Sequence, residues 1–106
     1  MNVVDPSAGK RWQAALEPNL AKWVVSVLPK TREAEDGSLE LWAEVVLVGA
    51  ITGVPSADRR KTLVAIESDL RRIMLTGGNY FSVGERPFVS FLTEEEASRF
   101  ARARTA

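Results

Sequence analysis

The chain contains no cysteine and no histidine. With them go disulfides, thiol nucleophiles, imidazole acid–base chemistry and most transition-metal sites. Carboxylates, lysines, hydroxyls and one tyrosine are what remain for catalysis. No apolar run is long enough to span a bilayer. The N-terminus has no basic segment followed by an apolar core, so no signal peptide is expected. An excess of charge is missing too. Fourteen basic and fourteen acidic residues cancel, which argues against a nucleic-acid partner. There is no internal repeat and no low-complexity segment. The expectation is a soluble, cytoplasmic protein without cofactor or metal.

What is present is ordinary for a folded domain: 45% hydrophobic and 26% charged residues over 106 positions. That length supports one domain with a real core. The chain is organised around residues 39–75. From Leu39 to Ile51 the pattern alternates at first, with Leu39, Leu41, Ala43, Val45 and Leu47 on one face. Glu40, Trp42 and Glu44 lie on the other, followed by Val46, Val48 and Ala50. Period two predicts a long strand whose second face is wet at its start and apolar at its end.

A break at Thr52–Pro55 precedes a helix over Ala57–Leu75, with Ser56 as its cap and Gly77 as its stop. Leu63, Ile66, Leu70, Ile73 and Met74 form its core stripe. Arg59 falls in line with that stripe, which predicts a carboxylate partner, Glu40 or Glu44. Val64 and Leu75 lie opposite the stripe, beside Arg60, Lys61 and Arg71.

Around this unit the pattern predicts a helix over Ser7–Leu16, started by Asp5-Pro6, with Trp12, Ala15 and Leu16 inward. Gly9 weakens that helix by about 1 kcal/mol relative to alanine. Pro18 stops it or starts a short turn through Leu20. A strand over Lys22–Leu28, closed by Pro29, joins the long strand through a charged loop, Thr31–Ser38, containing the turn dipeptide Asp36-Gly37. Tyr80–Val83 and Phe88–Leu92 read as a second hairpin. Thr93 and Glu96 form a capping box for a last helix, Glu94–Ala103, that buries Ala97 and Phe100. The predicted fold is α+β in the order α-β-β-α-β-β-α: a mainly antiparallel four-stranded sheet with the central helix packed on one face.

Few residues invite a chemical reading. Glu40 and Glu44 stand about 13 Å apart on a strand, too far for a glycosidase pair. Glu94–Glu96 suit the start of a helix dipole better than a cation site. Gly77-Gly78 follows a helix, whereas phosphate loops precede one. Arg59, Arg60, Lys61, Arg71 and Arg72 spread around their helix among acids, as on a solvated face. Trp42 is the most informative residue. Either the N-terminal helix covers it, or it marks an interface or ligand site.

The hairpin ending in Leu39-Glu40-Leu41-Trp42-Ala43-Glu44-Val45-Val46-Leu47-Val48, the polar break, the helix from Asp58 to Met74 and the following strand resemble bacteriophage tail-terminator and tail-completion proteins. The likeness is of pattern and covers residues 22–92. It implies a ring-forming structural protein without catalysis that acts through subunit contacts.

The expected function is therefore a non-enzymatic, self-associating assembly protein, of phage or prophage type if the resemblance holds, located in the cytoplasm or the virion. Its partners would be itself and other structural proteins, with no membrane. The candidate interface comprises Trp42, Val46, Val48, Val64, Leu75, Arg59, Arg60 and Arg71. The alternative is a ligand-binding or regulatory module with a pocket lined by aromatic residues.

Overall fold

The structure, a computed structural model, describes residues 7–77 and 87–105. Two short helices, α1 (Ala8–Ala15) and α2 (Pro18–Ala21), lead into the hairpin β1 (Val24–Glu33) and β2 (Leu39–Leu47). A 3-10 turn, Gly49–Gly53, precedes the long helix α3 (Ser56–Gly77). Strand β3 (Phe88–Thr93) and helix α4 (Glu94–Thr105) follow.

The sheet corrects the expected fold. Among the described residues it has three strands, in the order β1-β2-β3, and it is mixed. β1 and β2 pair antiparallel, as expected, but β3 lies parallel to β2. The physical reason is the connection. α3 carries the chain back along the sheet, so β3 enters beside β2 in the same direction, as in a β-α-β crossover. The expected strand Tyr80–Val83 and the Asp5-Pro6 helix start lie outside the described residues.

β1 also differs. It runs for ten residues straight through Pro29. Among the described residues it is an edge strand, where a missing N–H is tolerated. A bulge between Val24 and Ser26 shifts the register, so Val24 and Val27 both point inward and Val25 is left exposed. Gln13 of α1 closes the irregularity by donating from Nε2 to the Val25 carbonyl at 3.1 Å. The charged loop shrinks to Ala34–Ser38. Gly37 takes a positive φ of 86° there, and Asp36 accepts from the Ser38 amide and hydroxyl. β2 ends earlier than expected. The Val48 amide donates to the Trp23 carbonyl and the Gly49 amide to Glu94 Oε1, both at 2.9 Å. Those two bonds draw the chain out of the sheet.

One face of the sheet carries the core. Leu41, Ala43, Val45 and Leu47 are buried with Val24, Val27, Trp12, Leu16, Ile51, Ile66, Leu70, Ile73 and Met74. The expected helix stripe is thus inward, except that Leu63 is only partly buried. Leu39 keeps the parity of this face but lies beyond its covered end and is exposed. α1 and α3 pack on this inner face. Asp69 of α3 joins them to α2 by accepting from the Glu17 amide at 3.1 Å and from Arg72 at 2.6 Å. Burial pushes the Asp69 carboxyl up, but the Arg72 guanidinium and the Glu17 amide outweigh it and hold the group below its usual range.

Candidate functional site

The opposite, outer face of the sheet presents the most unusual surface. The register arranges it in rows across the strands. Arg32 lies opposite Glu40; Lys30, Trp42 and Phe88 form the next row; Leu28, Glu44 and Ser90 the next; Ser26, Val46 and Leu92 the last. Trp42 and Phe88 stack with ring centroids 4.7 Å apart and planes 17° from parallel. The Trp42 indole N–H donates to Glu40 Oε1 at 3.3 Å. Lys30 reaches diagonally to Glu44 at 2.6 Å. Arg32 is exposed and has no hydrogen-bond or ion-pair partner among the described residues.

α4 stands on one end of this face. The capping box forms as the sequence predicts: Thr93 N donates to Glu96 Oε1 at 3.1 Å, and Glu96 N donates to Thr93 Oγ1 at 3.2 Å. That reciprocal pair fixes how the helix leaves β3. Ala97 and Phe100 then overhang a groove of about 430 Å³ lined also by Leu28, Val46 and Leu92. The helix covers the groove only in part. Phe100, expected to be buried, is 53% exposed, and Leu28 is 46% exposed. Among the described residues, the other end of the face is open. There a hollow of about 350 Å³ lies against Trp42, bounded by Lys30, Arg32, Glu44 and Ser90.

The expected interface residues fall into two separate groups. Trp42, Val46 and Val48 lie on or near the outer face; Val46 is buried and the other two are half-buried. Of the two readings of Trp42, cover by the N-terminal helix does not fit: α1 lies on the inner face, and Phe88 stacks on the indole instead. Val64 (59% exposed) and Leu75 (58%) lie on the back of α3, on the far side of the molecule. Arg60 is exposed beside them. The predicted ion pair of Arg59 is absent. Its Nη2 donates to Ser56 Oγ at 3.3 Å, while Glu44 is held by Lys30 and Glu40 by Trp42. Ser56 itself is the first helical residue. Arg71 is structural: it pairs with Glu67 at 3.3 Å and donates from Nε to the Pro87 carbonyl at 3.2 Å, tying α3 to the start of β3.

The sequence reading missed the Trp42–Phe88 stack. Both aromatics were visible, but their contact depends on the parallel register of β3. Among the described residues no three acidic side chains converge as a metal site would require. The Asp36 and Asp69 carboxyls, both held below the usual range, belong to a turn and a helix junction. No helix among the described residues is long and apolar enough to cross a membrane. No family model, curated protein or solved structure matches the chain.

Proposed function

We propose that this chain is a non-enzymatic assembly protein that associates with copies of itself. One observation carries the reading: large apolar side chains stand exposed on two opposite sides of so small a domain. Leu28 and Phe100 do so on the outer sheet face, and Val64 and Leu75 on the back of α3. Leu28 and Phe100 line one groove, and contiguous exposed apolar surface marks contact sites more often than scattered single residues do. Zero formal net charge leaves no long-range repulsion to keep copies apart. Further structural proteins are the natural additional partners, in the cytoplasm or in a virion. The tail-terminator resemblance is supported only by the order hairpin, helix, strand. A ring seen by electron microscopy would favour it.

Sedimentation of the wild type and of Trp42→Glu tests self-association. An oligomer at tens of micromolar, roughly, is expected, weakened by the charge at Trp42. A wild-type monomer at that concentration removes the assembly reading. It would promote the second one, a ligand-binding module, which the hollow beside Trp42 favours. That hollow, about 350 Å³, is within the size range of small-molecule sites.

A further inference from the structure

Charge and cover distinguish the surfaces that could meet a second copy, given the self-association proposed above. The free edge of β1 is a poor candidate, because Pro29 interrupts the row of donors that strand addition needs. The back of α3 is a poor surface for meeting itself. Arg60 and Lys61 are exposed there without partners among the described residues, and they would face like charge in a symmetric contact. The groove under α4 is already occupied in part by Ala97 and Phe100.

The open end of the outer face has the opposite character. Its cations, Lys30 and Arg32, lie on β1. Its anions, Glu40 and Glu44, lie on the adjacent β2, and Trp42 stands among them. We infer that this open end, with Arg32, Glu40 and the Trp42–Phe88 stack, is the contact surface for a second copy of the chain. A two-fold axis running along the strands between β1 and β2 reverses each row onto itself. Arg32 of each copy then meets Glu40 of the other, and Lys30 meets the indole of Trp42, a favourable cation–aromatic contact. A two-fold contact requires such self-complementarity. Among the described residues, Arg32 is the cation of this face that has no side-chain partner, whereas Lys30 is held by Glu44. α4 stands at the other end of the face, so the two sheets meet near Glu40 and splay apart toward α4. The contact is small, and the dimer is weak and concentration-dependent.

The test is sedimentation velocity over a concentration series with wild type, Arg32→Glu, Glu40→Arg, and an equimolar mixture of the two variants. Circular dichroism checks that each variant folds. Each single variant should raise the apparent dissociation constant about tenfold or more, since it places like charges opposite each other twice per dimer. The mixture should recover wild-type association, because each chain then offers the charges the other lacks. A wild type that stays monomeric overturns both this inference and the proposed function. A wild type that associates, with both variants unchanged and Val64→Asp dissociating it, leaves the proposed function standing and overturns the assigned surface. Weakened variants that fail to recover when mixed overturn the Arg32–Glu40 pairing and with it the two-fold arrangement.

Discussion

Gly9 of α1 lies against the backbone of β1 so closely that a Cβ added to it would sit 2.0 Å from the Val27 carbonyl oxygen and 2.9 Å from Pro29 Cδ. Sequence alone assigns Gly9 a helix-weakening role, with alanine better by about 1 kcal/mol. The packing reverses that sign. A carbonyl in a paired strand cannot step aside, so Gly9→Ala must push α1 off the sheet. Overpacking of this kind costs about 1–3 kcal/mol. Urea titration should show Gly9→Ala less stable than wild type. Gly53→Ala, where nothing lies within 4 Å of the added carbon, should change stability by less than about 0.5 kcal/mol.

Leu70 is fully buried at the centre of α3, within the cluster that joins the helix to β2. Leu70→Ala should cost about 2–5 kcal/mol through lost burial and the cavity left behind. Val64, a turn and a half away on the exposed back, provides the contrast. Val64→Ala should fall within about 0.5 kcal/mol. Equal losses at both positions would mean that the helix is rotated from the face described.

Asp69 gives a pH dependence with a definite sign. Its carboxyl in the folded protein is held below the usual value of 3.8. A folded-state pKa lower than the unfolded one means that the stabilisation is present above the unfolded value. It is lost as pH falls through the folded one. Asp69→Asn keeps the shape but loses the charge-assisted bond to Arg72. The variant should be less stable than wild type at pH 7, and the gap should narrow toward pH 3. A gap independent of pH would show that the Asp69 carboxyl binds a proton equally well folded and unfolded, so that neither Arg72 nor the Glu17 amide favours its charged form.

How much of this was legible in the sequence depends on how local the cause is. Asp36-Gly37 and the Thr93/Glu96 box act within a few residues, and both formed as read. The stripe Ile66, Leu70, Ile73 is a matter of helical period, and it too is inward. The direction of β3 is not encoded in period two, because Phe88, Ser90 and Leu92 alternate identically in a parallel and an antiparallel pair. The bulge at Val25 depends on how α1 meets the sheet. For Arg59 and Phe100 the sequence offers spacing alone. Spacing says which side of a helix a residue occupies, but not how far the neighbouring element extends beneath it. The outer face of the sheet is half legible in the sequence: Trp42 stands out, but its partner Phe88 comes from a pairing that only the fold shows.

The Trp42–Phe88 stack offers a direct check on that pairing. The two rings meet because Trp42 and Phe88 are partners in the parallel register of β2 and β3. In an antiparallel hairpin arrangement β3 would not bring Phe88 beside Trp42 in this way. Stacked aromatic pairs contribute about 0.5–1.5 kcal/mol beyond the area they bury. A double-mutant cycle with Trp42→Ala, Phe88→Ala and the double variant, read by urea unfolding at low protein concentration, isolates that interaction. A coupling of roughly 0.5 kcal/mol or more is expected. Phe91→Ala, whose side chain points to the other face of the same strand and packs against the core, serves as the comparison and should be additive with Trp42→Ala. If Trp42 couples to Phe91 and not to Phe88, the strand is shifted by an odd number of residues and every row of the outer face changes with it.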